Sequence, residues 1–110
     1  MLVGYARVST PDQNLDLQHD ALPQAGCDRI FTDVASGSQT ERPGLAETLA
    51  FLRTGDSLVV WKLDRLGRSL KDLIVNVTVL QTRQIGLRSL QENIDTATSG
   101  GKLIFHVFGA

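Results

Sequence analysis

The chain has 110 residues, enough for one domain around one core. Hydrophobic residues are 42% and charged residues 21%, which excludes a disordered or low-complexity protein. A formal net charge of −1 excludes a protein that holds nucleic acid by bulk positive charge. No apolar run approaches the roughly 18 residues of a membrane span. The single cysteine, Cys27, cannot form an internal disulfide, which fits a reducing cytoplasm. Met1 to Val8 is too short for a signal peptide and already carries Arg7.

Residues 2–8 predict a first strand, central and parallel. Side chains alternate along a strand, so Tyr5, Arg7 and Ser9 share one face and Ala6 and Val8 the other. The first face reads as polar, with a hydroxyl beside a fixed positive charge. The second is small and apolar, as suits a core. Residues 12–25 predict a helix, with Leu15, Leu17, Ala21, Leu22 and Ala25 near helical spacing. Pro23 conflicts with that helix, so its last turn should be distorted and Gly26 should end it. Residues 29–34 predict a second strand, and 35–40 a small polar connector.

Pro43 opens a helix that runs to about Arg53, with Leu45, Leu49 and Leu52 toward the core. Gly55 and Asp56 close it. Residues 57–61 predict the third strand, the most apolar of the chain at Leu58, Val59 and Val60. Lys62, Arg65 and Arg68 follow at once, with Asp64 among them. If the chain turns helical near Asp64, Arg65 and Arg68 share a helix face. Ser69 is the expected N-cap of a helix over 69–83, whose buried stripe should be Leu70, Leu73, Ile74, Val77 and Leu80. A last strand is expected at 86–90 and a loop at 92–101. Residues 102–110 are apolar and begin another helix. Strands alternating with helices predict an α/β fold of three layers, with a mostly parallel central sheet flanked by helices.

A lone serine hydroxyl is a poor nucleophile and needs help. His19 and His106 fall outside every motif, which argues against a Ser-His-Asp hydrolase. The sequence has no Gly-x-Ser-x-Gly elbow, Walker A loop or zinc-spaced Cys/His cluster. Its arginines supply what phosphoryl transfer needs instead. Guanidinium groups bind phosphate oxygens bidentately and stay charged. Arg7, Arg65 and Arg68 could surround a phosphate without a metal ion, and their field would ease formation of a Ser9 alkoxide. Asp64 could orient an arginine, protonate a leaving oxygen, or simply cap a helix.

Tyr5-Ala6-Arg7-Val8-Ser9-Thr10 with Asp12-Gln13, Ala35-Ser36-Gly37, Arg42-Pro43-Gly44-Leu45 and Lys62-Leu63-Asp64-Arg65-Leu66-Gly67-Arg68 together resemble the catalytic domain of the serine recombinases, the resolvases and DNA invertases. The resemblance covers the whole chain. It implies a resolvase-like catalytic domain over 1–101 and the start of a dimerisation helix at 102–110. A helix-turn-helix DNA-binding domain would follow beyond the chain. It implies Ser9 as nucleophile, with Arg7, Asp64, Arg65 and Arg68 in catalysis. Tyr5, Gln13, Gln18, Ser36, Arg42 and Lys62 would bind the substrate. The implied substrate is double-stranded DNA, cut through a 5′-phosphoserine by a homodimer that pairs into a tetramer, with no metal and no cofactor. The chain alone is then expected to be inactive in recombination and to self-associate through residues 102–110. Two other readings stay open: a non-catalytic dimerisation or regulatory module on the same fold, and a flavodoxin-like phosphate binder. The second lacks a glycine-rich loop after the first strand.

Overall fold

Strands joined by helical crossovers return to the same edge, so they pair in parallel. The computed structural model describes residues 1–9, 20–35, 43–63, 66–67 and 69–96, with only the backbone at 8, 9, 34 and 35. Four strands are parallel: β1 (Leu2–Ser9), β2 (Arg29–Ala35), β3 (Ser57–Val60) and β4 (Gly86–Ser89). The sheet order is β2-β1-β3-β4-β5. The central strand β1 pairs with β2 from Val3↔Arg29 to Ser9↔Ala35, and with β3 from Leu2↔Ser57 to Tyr5↔Val60.

The fifth strand corrects an expectation. β5 (Ile94–Asp95) lies antiparallel to β4, inside the stretch predicted as loop. Two residues are too few to show an alternating pattern. The strand is held by Thr96 instead: its hydroxyl accepts from Leu87 N–H at 2.8 Å, and its own N–H donates to Leu87 O at 2.9 Å.

Core clusters cover both faces of the sheet. On one face Val3, Tyr5, Leu58, Val60 and Leu87 meet two helices, α1 (Pro43–Phe51) and α2 (Leu70–Thr82). On the other, Ala6, Val59 and Leu22 pack with Ile30 and Cys27. The three layers predicted from the alternation are therefore present. The face of β1 read as polar is covered around Tyr5: α1 packs its leucines against it, and Tyr5 is 0% exposed.

Residues 20–24 are helical, and Ala25 N–H is shared between Ala21 O at 3.0 Å and Leu22 O at 3.2 Å. Gly26, at φ 94°, ends the turn as predicted. Cys27 N–H reaches back to Leu22 O (3.3 Å) and Gly26 N–H to Pro23 O (2.9 Å), a closure that uses glycine's freedom at positive φ. Residues 12–19 of that predicted helix lie outside the described residues. At α2, Ser69 is the N-cap as expected, its hydroxyl accepting from Asp72 N–H at 3.1 Å. The stripe needs one correction: Val77 and Leu80 are buried, but Leu70 is 68% exposed. Leu70 shares Val77's azimuth two turns earlier, and the core does not extend that far.

Candidate active site

β1 and β3 are neighbours, yet the chain leaving them goes to opposite faces. After β1 it reaches the helical segment 20–24, whose Leu22 packs on the Ala6 side. After β3 it reaches α2, whose Val77 and Leu80 pack on the Tyr5 side. Connections that diverge in this way open a crevice beyond the carboxyl ends of the two strands, where ligands of open α/β sheets bind. Ser9 ends β1 at this edge, and Trp61 to Leu63 leave β3 at the same edge. The described parts of the two clusters, Arg7–Ser9 and Trp61–Leu63, therefore leave neighbouring strands at one edge of the sheet.

Of the expected site residues, Arg7 is half-buried on β1, opposite Asp33 in the register. Ser9 is placed by its backbone, paired with Ala35. Lys62 is exposed on the loop after β3. Tyr5 lies wholly inside. Gln13, Gln18, Ser36, Arg42, Asp64, Arg65 and Arg68 lie outside the described residues.

Asp33 was not anticipated. It is 6% exposed on β2 and accepts three hydrogen bonds. Tyr5 Oη donates to Oδ2 at 2.7 Å, Gly44 N–H to Oδ1 at 2.7 Å, and Leu45 N–H to Oδ2 at 2.9 Å. The last two are orphan donors of the first turn of α1, where the helix dipole favours a carboxylate. The approach demands glycine at 44, since a Cβ there would stand 2.7 Å from Thr32 O and 2.8 Å from Asp33 Oδ1. Asp33 thus ties the middle of β1 to the start of the helix that follows Arg42. A lone acid in an apolar strand, with Pro43-Gly44 ahead, was the available signal.

The described residues of the loop after β3 are held as well. Leu66 N–H closes a tight turn onto Leu63 O at 2.9 Å, and Asn76 Nδ2 of α2 donates to Leu66 O at 2.7 Å. A Cβ on Gly67 would stand 2.4 Å from Leu73 N, so α2 packs directly against bare backbone. Cys27 is no rival nucleophile: burial pushes its thiol up to about 11, more than Arg88 lowers it. Asp56 sits at the opposite edge of the sheet. Its carboxyl is held below the usual range, chiefly by Arg53 N–H at 2.9 Å and then by the terminal amine of Met1 at 3.2 Å. Among the described residues no helix is long and apolar enough to cross a membrane.

A family model, Resolvase, N terminal domain, matches residues 2–110. The chain is 59% identical over 110 residues to a DNA-invertase of Enterobacteria phage P7, covering all of this chain and 59% of that protein. It is 58% identical to the serine recombinase gin of Escherichia phage Mu, covering 57% of it. The chain therefore spans under two thirds of the length of these relatives. Among solved structures, it resembles the N-terminal catalytic domain of TP901-1 integrase with a TM-score of 0.80 and 30% identity, over 99% of this chain and 92% of that one.

Proposed function

The chain belongs to the resolvase N-terminal domain family, and from that premise we propose that it is the catalytic domain of a serine site-specific DNA recombinase of the resolvase and invertase type. The observation that supports this reading is that β1, ending at Arg7–Ser9, and β3, leading into Trp61–Leu63, are parallel neighbours whose carboxyl ends lie at one edge of the sheet. In the proposed reaction, Ser9 Oγ attacks a DNA phosphodiester. A P–O bond forms to serine, the bond to the 3′ oxygen breaks, and that oxygen leaves with a proton as a free 3′ hydroxyl. The 5′-phosphoserine conserves the bond energy, so attack by another 3′ hydroxyl rejoins the strand without ATP. Arg7, Arg65 and Arg68 neutralise the charge gathering on the non-bridging oxygens, commonly the largest catalytic term. Asp64 orients an arginine or supplies the proton.

Gln13, Gln18, Ser36, Arg42 and Lys62 contact the DNA backbone in this reading. Tyr5 contributes through Asp33, because its hydroxyl is already committed there. Residues 1–101 form the catalytic domain and 102–110 open a dimerisation helix. The acting species is a homodimer that assembles into a tetramer on double-stranded DNA, with a helix-turn-helix domain supplying recognition. The test is the covalent protein–DNA adduct formed by the intact gene product. Ser9→Ala should abolish the adduct and leave folding intact. An adduct of undiminished yield with alanine at 9 would sink the assignment.

A further inference from the structure

β3 and β4 do not part at their last paired residues, Val60 and Ser89. Leu90 N–H donates to Val60 O at 3.0 Å, and Gln91 N–H to Trp61 O at 2.9 Å. At the next step a side chain takes over from the backbone. Leu63 N–H donates to the Glu92 carboxylate, 3.1 Å from Oε1 and 3.4 Å from Oε2. The hydroxyl of Ser89, 1% exposed, donates to the same Oε1. Asn93 follows at φ 54°, a left-handed conformation that asparagine tolerates, and the chain turns into β5. The pair Ser89↔Ile94 closes that turn. Glu92 therefore stands at the surface with its carboxylate held by a buried hydroxyl, and it grips the backbone between Lys62 and Asp64.

We propose that Glu92 is a positioning residue for the Lys62–Arg68 loop, a role that rests on the recombinase reading above. Lys62 and Asp64 are the immediate neighbours of the N–H that Glu92 holds, and Arg65 is the next residue. A shift of about 1 Å in a group that must meet a reacting phosphate can cost roughly a hundredfold in rate. The far end of the same loop is held by Asn76 on Leu66 O and by the bare backbone of Gly67. Glu92 supplies the matching restraint at the near end. A merely stabilising carboxylate would change the unfolding midpoint. A positioning one changes the rate of cleavage at fixed DNA occupancy.

The experiment compares Glu92→Ala with Glu92→Gln, which keeps an acceptor for Leu63 N–H. In the chain itself, amide hydrogen exchange at Leu63 should speed up in E92A and stay near wild type in E92Q. In the intact gene product, the rate of Ser9 adduct formation at saturating DNA should fall about tenfold or more in E92A, with DNA affinity unchanged. E92Q should recover most of that loss. Unchanged Leu63 exchange in E92A overturns the proposal, whatever the activity. So does faster exchange with undiminished cleavage, or an E92Q as impaired as E92A. A wild-type protein that forms no Ser9 adduct overturns the recombinase reading and the rate effect with it. The Leu63 exchange still decides whether Glu92 holds the loop.

Discussion

Asp33 and Arg83, far apart in sequence, grip the two ends of one helix. Asp33 accepts the N–H groups of Gly44 and Leu45 at the start of α1. Arg83 donates Nη1 to Leu49 O at 2.7 Å and Nη2 to Leu52 O at 2.6 Å at its end. The negative group meets the positive end of the helix dipole and the positive group the negative end. A helix as short as α1 is marginal in isolation, so its place on the sheet depends on such partners.

The first prediction follows from the Asp33 end. Tyr5→Phe removes one of three donors to a buried carboxylate and should cost about 1–2 kcal/mol. Asp33→Asn should cost more, about 2–4 kcal/mol. It turns an amide donor toward N–H groups that need acceptors, and it removes the charge that suits the helix start. Urea unfolding followed by circular dichroism measures both. A D33N protein as stable as wild type would mean that α1 does not depend on this carboxylate.

The second concerns the end of α2. Gln84 is at φ 58°, the left-handed position where glycine usually ends a helix. Ile85 N–H bonds Leu80 O at 2.9 Å and Gln84 N–H bonds Gln81 O at 3.1 Å, completing the closure. A non-glycine residue there carries backbone strain of about 1 kcal/mol. Gln84→Gly relieves it, while the freer unfolded chain takes back part of the gain. The net expectation is a rise of a few tenths to about 1 kcal/mol, read as a higher melting temperature. Gln84→Val, β-branched, should move the other way.

Cys27 gives a prediction in pH. Its folded thiol titrates near 11 against 9.0 for a free one, because burial opposes the thiolate. At pH 8 the folded protein should react with iodoacetamide roughly a hundredfold more slowly than the urea-unfolded chain, in proportion to thiolate. The unfolded chain also loses its thiol proton first. This group's stabilising contribution is therefore complete below pH 9.0 and declines as pH rises toward 11. Cys27→Ala should flatten the decline over that window. Equal alkylation rates folded and unfolded would contradict the burial argument.

What the sequence made legible follows from where its signals are strong. The apolar runs at Leu2–Val8 and Leu58–Val60 and the helical spacing from Leu73 to Leu80 carry layers and strand direction. The ends of β1 and β3 then carry the candidate site, since a parallel sheet puts both at one edge. The face carrying Tyr5 was read as polar, yet Tyr5 is buried under a helix, because alternation gives parity and not which side a later helix covers. Leu70 was misread for a similar reason: spacing gives azimuth but not the reach of the core. Asp33 and Glu92 stayed hidden because each works through backbone groups distant in sequence, Gly44 and Leu63. No local pattern encodes such a bond. β5 was missed because its pairing is written in Thr96 and the turn at Asn93 rather than in a run of apolar residues.

The last prediction concerns Arg65 and Arg68, which the proposed mechanism sets on the scissile phosphate. Lysine keeps the charge, but it replaces a planar fork with a single rotating ammonium. A residue that only anchors DNA needs charge, so Lys should serve nearly as well, and binding and salt dependence should change little. A residue that clamps two non-bridging oxygens needs the fork and should lose rate, on the order of a hundredfold for one lost preorganised donor. Arg65→Lys and Arg68→Lys in the intact gene product should therefore bind DNA close to wild type and form the Ser9 adduct far more slowly. The two measurements are a gel-shift titration at physiological salt and single-turnover adduct formation at saturating DNA. The second removes any difference in occupancy. If binding and rate fall together, the arginines anchor the DNA and another group carries the charge in the transition state. If neither falls, the basic loop after β3 lies outside the reaction, and only the β1 side of the crevice remains a candidate.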